Sequence, residues 1–287
     1  MTAVEVFAPA KVNLTLHVTG QRTDGYHLLD SLVVFADVGD RVTLALAERP
    51  SFKVTGPFAA SVPLGDENLV LRAARLCAPD RSLAIGLEKG LPPASGLGGG
   101  SADAAAVARG VAALTGGRPD PDALLALGAD VPMCLASGAA RVRGIGERIK
   151  PLAGLPALPA VLVNPGHAMP TPPVFAALKR KDNPPMSDPL PVFAGPAGLI
   201  GWLAAQRNDL EAPAMAILPE VSRVLAALGA CEGVRLARMS GSGATCFALF
   251  DDAEAAARAA ARLGGLHPGW WVRPATLGDQ SARARPR

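Results

Sequence analysis

Apolar and polar residues alternate from Val4 to Val18, a period of two that predicts a strand, with an interruption at Pro9 where the ladder would lose a donor. The same alternation over Leu32–Ala45 predicts two strands around Val38-Gly39-Asp40, and Leu83–Glu88 and Ala139–Arg143 predict two more. Helical spacing covers Glu67–Cys77, Ser101–Leu114 and Asp120–Leu127, the last with Asp120 as cap and Pro121 at the first helical position. The run PLAGLPALP from Pro151 reads as a boundary. Beyond it the pattern predicts strands at Ala160–Asn164, Val234–Met239, Thr245–Phe250 and Trp271–Ala275. Helices are expected near Pro173–Arg180, over Ala197–Gln206, over a long stretch at Ala214–Leu228 and at Ala253–Leu263. The proline-rich Lys181–Ala194 predicts a surface loop, and there is no internal repeat. Before the boundary strands come first and helices follow, which implies an α+β fold and not a regularly alternating parallel sheet, and the order after it fits a small β-sheet backed by helices.

One stretch breaks the periodicity. LPPASGLGGGSADAA, from Leu91, places four glycines within five residues directly ahead of an alanine-rich helix. Glycine costs chain entropy, so such a cluster marks positive φ or a close approach to the main chain. A glycine loop opening a helix, with Ser101 as the expected cap, offers unpaired N–H groups and the positive end of a helix dipole to an anion. A plain turn needs only one or two glycines, which favours a phosphate. No Gly-Lys-Ser/Thr follows, so the loop is not of the Walker A type. Gly96 and Gly98 begin a dinucleotide fingerprint, but Ser101 stands where its last glycine belongs. A second cluster, MSGSGATCFALF from Met239, puts Cys246 in that place and runs into a β-like segment.

Composition narrows the classes. The 287 residues suffice for one large domain or two ordinary ones, and 49% hydrophobic content indicates a packed globular chain. No apolar run approaches the ~20 residues of a membrane span, and MTAVEVFAPAKVN has neither the basic start nor the apolar core of a signal peptide. Cys77, Cys134, Cys231 and Cys246 form no CxxC pair, which points to reduced, buried thiols in a cytoplasmic protein. A net charge of +3 and 4% aromatics leave no basic, aromatic-interleaved stripe for nucleic acid. The closing SARARPR reads as a solvated, frayed end.

Three motifs belong together: APAKVNL at Ala8–Leu14, the glycine loop, and SGSGAT at Ser240–Thr245. In this order and at these separations they resemble the GHMP small-molecule kinases, a likeness that runs from about Val6 to Phe250. RTDGYH at Arg22–His27, GADVP at Gly128–Pro132, PTPPVF at Pro170–Phe175 and NDLE at Asn208–Glu211 narrow it to a branch acting on cytidine diphosphate methylerythritol. The resemblance implies a GHMP kinase fold: a ribosomal-S5-like α+β domain over residues 1–153, a ferredoxin-like α/β sandwich over 154–278, ATP and substrate in the cleft between them, and a disordered tail over 279–287. It implies phosphorylation by ATP of the substrate's 2-hydroxyl in the methylerythritol phosphate route to isoprenoids, by a monomer or weak homodimer with no nucleic-acid or membrane partner.

By the same resemblance Asp130 is the base and Lys11 its partner. They are 119 positions apart, so only the fold can join them. Taken alone, a lysine after proline is ordinarily solvated and an aspartate before Val-Pro ordinarily caps a turn; together in this motif set they read as catalytic. Pro92-Pro93-Ala94-Ser95-Gly96-Leu97-Gly98-Gly99-Gly100-Ser101-Ala102 is then the ATP cradle, Asn68 and Lys89 border the adenine, and Ser240, Gly241, Ser242 and Gly243 support the phosphate loop. Asn13 and Thr171 face the substrate, Tyr26 and Phe175 sandwich its cytosine, and His27 reads the base edge. No carboxylate cluster stands out for a metal. Mg²⁺ is expected to be held mainly by the nucleotide phosphates and water, with Asp103 a helix-start carboxylate. Two departures stand out: Ala94-Ser95 replaces a glycine-rich pair, and Met133 stands where an aromatic commonly follows DVP. A homoserine or mevalonate kinase would not need DGYH and PTPPVF. A catalytically dead sensor of this fold would be expected to lack Lys11 or Asp130.

Overall fold

The computed structural model describes residues 3–287. Strand β1 (Ala3–Asn13) leads through β2 (His17–Gln21) into β3 (His27–Leu46), followed by β4 (Ser51–Thr55), helix α1 (Leu69–Cys77) and β5 (Leu83–Glu88). After the glycine loop come α2 (Gly99–Thr115), α3 (Pro121–Leu125), α4 (Val131–Ala136), β6 (Ala140–Gly144) and β7 (Arg148–Pro151). The rest of the chain forms β8 (Leu158–Asn164), α5 (Thr171–Ala176), α6 (Pro196–Ala204), α7 (Glu211–Ile217), α8 (Glu220–Gly229), β9 (Leu236–Met239), β10 (Cys246–Leu249), α9 (Ala253–Leu266) and β11 (Trp271–Gly278).

The long β3 organises the sheet. It pairs antiparallel with β1, β2, β5, β6 and β11, and among the named strand pairs of the described residues only β4–β5 is parallel. Two strands were expected where this single one runs, because Gly39 read as a turn. Gly39 instead keeps an ordinary backbone against Ala8, where a Cβ would lie 2.9 Å from the Ala8 carbonyl carbon. The irregularity falls on β1: Pro9 faces Gly39 but Lys11 faces Phe35. Pro9 has no donor to lose, and the shifted register frees the Lys11 amide to bond the Leu97 carbonyl of the glycine loop at 2.8 Å. One bulge thus ties the first motif to the second.

Helix α2 is buried nearly all round, as its alanines predict, and it rests on β1 and β3 through Gly110, where a Cβ would come within 3.2 Å of Val6. One core lies between these strands and α1, α2 and α4; a second lies between β8, β10 and α7–α9. A third joins Val12, Leu32 and Leu97 to Leu158, Leu199 and Phe247, so apolar packing runs unbroken across the 153/154 position.

Several expectations need correction. Helix α2 starts at Gly99 on a left-handed Gly98, with no side-chain cap, so Ser101 lies inside the first turn. The stretch read as one helix over Ala214–Leu228 is two, α7 and α8, because Pro219 cannot donate to the preceding turn. The tail is not a frayed end. Ala284 is buried, and the Arg287 amide and carbonyl bond the Glu5 carbonyl and amide at 2.9 and 3.0 Å. Its arginines mislead because they stay exposed while the backbone and Ala284 between them are fixed, with the Arg283 guanidinium 5.7 Å from the centre of the Phe7 ring. The Lys181–Ala194 loop has no helix or strand, yet Met186 is buried and its amide bonds Asp30 at 2.9 Å. Among the described residues no helix is long and apolar enough to cross a membrane.

Candidate active site

A cleft of about 1220 Å³ opens over the start of α2. The glycine loop forms its floor, and Gly96, Gly98 and Gly99 each answer a specific constraint. Gly96 and Gly98 have φ of 77° and 63°. A Cβ on Gly96 would sit 2.9 Å from the Gly243 carbonyl, one on Gly98 3.3 Å from Lys11, and one on Gly99 3.0 Å from the Lys89 Nζ. The loop is therefore pressed between two lysines and the SGSG turn. Ala94 takes φ of 43° without being glycine, while the Ser95 carbonyl accepts the Thr245 amide at 3.0 Å. The first intrahelical bond runs from the Ala102 amide to the Gly98 carbonyl at 2.9 Å, which leaves the amides of Gly99, Gly100 and Ser101 with no helical acceptor. That is a set of donors aimed at the cleft from the positive end of a long helix.

Lys11 and Asp130 meet there. Nζ lies 2.7 Å from Oδ2, with the lysine buried and the carboxylate partly open to the cleft. Asp130 stands at the start of α4 but makes no side-chain cap bond, so its carboxylate is available to a ligand and is not closing a turn. Asn13 donates through Nδ2 to Ser31 Oγ at 2.8 Å, its amide bonds Ser240 Oγ at 3.1 Å, and its Oδ1 is buried without a partner. Ser31 lines the same wall and had no sequence signal beyond its place in a strand.

At the other end His27 stacks on Phe175, ring centres 4.9 Å apart. Tyr26 is 61% exposed. Phe175 thus stacks on His27, while the cytosine sandwich expected of Tyr26 and Phe175 concerns a base placed between them; DGYH turns at Gly25 (φ 91°), which carries Tyr26 outward. The His27 Nε2 is buried and unpartnered. Burial first, and then the Lys181 charge, lower the His27 pKa below its usual 6.5, so a neutral ring faces the cleft. Thr171 Oγ1 lies 2.9 Å from Ser242 Oγ, joining the substrate wall to the second glycine turn.

Asn68 and Lys89 line the cleft with their polar ends already engaged by the protein. Asn68 caps α1 by accepting the Val70 amide at 2.8 Å and donates to the Pro63 carbonyl. Lys89 is buried between Asp40 and Asp103, with Asp103 Oδ2 at 2.8 Å. Asp103 is therefore a buried ion-pair partner and not a surface helix-start carboxylate. Asp40 accepts the Gly90 and Leu91 amides at 2.7 and 2.8 Å and so fixes the entry to the loop. Reading Val38-Gly39-Asp40 as a turn hid it.

The NDLE motif has a visible task. Asn208 Nδ2 donates to the Met239 and Gly241 carbonyls at 2.8 Å each, and Glu211 accepts the Met239 amide at 2.8 Å. The turn they hold in turn locks Gly96 through Ser240 Oγ at 3.0 Å. Among the described residues no three acidic, histidine or cysteine side chains converge as metal ligands.

This is an alcohol-kinase cleft of the GHMP type, and the family comparisons agree. The GHMP kinases N terminal domain matches residues 68–141, and the GHMP kinases C terminal domain matches residues 192–266. The 4-diphosphocytidyl-2-C-methyl-D-erythritol kinase of Cereibacter sphaeroides is 60% identical over 95% of this chain and 99% of its own. That of Roseobacter denitrificans is 55% identical over 99% of this chain and 97% of its own. A crystal structure of 4-(cytidine 5'-diphospho)-2C-methyl-D-erythritol kinase superposes with a TM-score of 0.80 at 38% identity, covering 96% of this chain and 99% of that one. The chain belongs to the 4-diphosphocytidyl-2-C-methyl-D-erythritol kinase family of the GHMP kinases.

Proposed function

We propose that this kinase transfers the γ-phosphoryl group of ATP to the 2-hydroxyl of 4-diphosphocytidyl-2-C-methyl-D-erythritol, in the methylerythritol phosphate route to isoprenoid precursors. The observation that carries the reading is the Lys11–Asp130 pair, 2.7 Å apart beside the free amides of α2, in one cleft with an unpartnered His27 nitrogen. Phosphoryl transfer asks the protein mostly for position and charge. The amides of Gly99, Gly100 and Ser101 receive phosphate oxygens. Asp130 accepts the hydroxyl proton as the oxygen attacks, and the Lys11 ammonium beside it steadies the developing charge. The Asn13 Oδ1 accepts from a substrate hydroxyl, which satisfies an otherwise costly buried atom.

The neutral His27 ring reads the cytosine edge while Phe175 covers its face, and Tyr26 closes over the base from its exposed position. Mg²⁺ accompanying ATP neutralises phosphate charge. With no acidic cluster converging among the described residues, it would be held by the nucleotide phosphates and water. The family matches fall on either side of residue 153, which supports two units, 1–153 and 154–278, meeting at the cleft.

ADP release by the purified protein tests the assignment, with a panel holding the cytidyl substrate, its uridyl analogue, homoserine and mevalonate. Turnover is expected with the cytidyl compound, and with the uridyl one disfavoured by ~1–3 kcal/mol because it leaves the edge-reading groups unpaired. Asp130→Asn should lower kcat by about 10²–10⁴-fold with ATP binding retained. Equal use of both bases, or an active Asn variant, sinks the reading.

A further inference from the structure

Three lysines line the cleft: Lys11, Lys89 and Lys181. The first two are committed to carboxylates, Lys11 to Asp130 and Lys89 to Asp40 and Asp103. Among the described residues Lys181 has no acidic partner. The nearby acids are already matched, Asp182 with Arg180 at 3.2 Å and Asp24 with Arg22 at 2.7 Å. The side chain is half-buried, and its backbone is fixed: two residues on, the Asn183 amide bonds the Val18 carbonyl of β2 at 3.0 Å. Its Nζ donates to Gln21 Oε1 at 3.1 Å, and Gln21 Nε2 donates to the Gly25 carbonyl at 3.0 Å. Lys181 is thus one side chain away from the turn that carries Tyr26 and His27, at the nucleoside end of the cleft.

The substrate of the proposed function carries a diphosphate directly on its cytidine ribose. A nucleoside seated at His27 and Phe175 would bring that dianion beside the one cleft ammonium with no counter-charge. We infer that Lys181 recognises the substrate's diphosphate and makes the enzyme select a nucleoside diphosphate conjugate over an uncharged nucleoside. The inference rests on the proposed substrate class. The charge of Lys181 already reaches this site, since it helps to lower the His27 pKa. A bound diphosphate would balance that charge.

The experiment compares cytidine, CMP and CDP as inhibitors competitive with the cytidyl substrate at saturating ATP, on the wild type, Lys181→Met and Lys181→Arg. On the wild type CDP should bind about tenfold tighter than cytidine, a half-exposed charge-assisted contact. Lys181→Met should erase most of that advantage and raise KM for the substrate about tenfold, with the cytidine constant and KM for ATP within about twofold of wild type. Lys181→Arg should restore the CDP advantage. Retention of the advantage in Lys181→Met overturns the inference. Equal loss of cytidine and CDP also overturns it, because it makes Lys181 only a support for the Gln21 turn. Failure of the wild type to use the cytidyl substrate removes the functional reading and this inference together, whereas normal turnover with an indifferent Lys181→Met removes this inference alone.

Discussion

Lys89 shows how far a single charge in this site depends on its neighbours. The ammonium lies between Asp40 and Asp103, all three buried, so two carboxyl groups share one positive charge. Burial opposes the lysine's charge, but Asp103 and Asp40 outweigh it and raise its pKa. Burial, resisted by Lys89 and reinforced by Asp40, pushes the Asp103 pKa up from 3.8 to about 8. Lys89→Met would leave two carboxylates facing each other and should cost ~3–5 kcal/mol of stability. Asp103→Asn should fold. The folded protein binds the Asp103 proton where the unfolded chain has released it, so that contribution is full below pH 3.8 and lost as pH rises toward about 8. Urea midpoints should therefore favour Asp103→Asn over wild type more at about pH 8 than at about pH 5, and no change in their difference would refute the assignment. The family resemblance marked Lys89 as a candidate but not its partners, 14 and 49 residues away.

At the scale of elements, what could be read depended on length and on whether the local signal was the deciding one. The glycine loop and α2 were legible because positive φ and close packing demand glycine, and a long alanine run strongly favours a helix. Helix α4 was not, because six residues with Pro132 in the first turn carry no helical period. Yet α4 sets Asp130. Arg109, from the middle of α2, donates to the Cys134 and Leu135 carbonyls at the end of α4, at 2.7 and 3.1 Å, and to the Phe7 carbonyl of β1 at 3.0 Å. One guanidinium therefore joins the helix of the cradle to the helix carrying Asp130 and the strand carrying Lys11. Burial lowers its pKa to about 10, which still leaves it charged at neutral pH. Arg109→Met should loosen α4 against β1 and lower kcat by about 10- to 100-fold, with KM for ATP little changed because the cradle lies at the far end of α2. Arg109→Lys should recover part of the loss. Steady-state kinetics below the variants' melting temperatures decide it, and a rise in KM for ATP equal to the fall in kcat would place the defect in the cradle.

Over the whole molecule, the part before residue 153 was readable as strands followed by helices and the part after it as a small sheet backed by helices, but their joining was not. It depends on contacts without a local signature, such as the third core, the tail on Glu5 and the side chain of His17. That histidine, on β2, is buried where three distant segments converge. Its Nε2 accepts the Arg207 amide at 3.2 Å, so Nδ1 carries the proton and donates to the Pro184 carbonyl at 3.2 Å. The neutral ring satisfies both neighbours, whereas an imidazolium would set a proton against the Arg207 N–H. Burial and then Arg207 lower the pKa below 6.5, against the opposing pull of Asp209, the Pro184 carbonyl and Asp30. A lowered histidine pKa means that the unfolded chain takes up a proton the folded one refuses. Stability from His17 is therefore intact above pH 6.5 and declines as pH falls below it toward the folded value. From about pH 7.5 to about pH 5.5 the melting temperature of the wild type should fall relative to that of His17→Gln, which can still accept and donate and which leaves the opposing Asp103 contribution unchanged. His27 is lowered in the same direction but is unchanged in that variant, so the difference between the two slopes reports His17. Parallel slopes would mean that the junction of the three segments tolerates a charged ring.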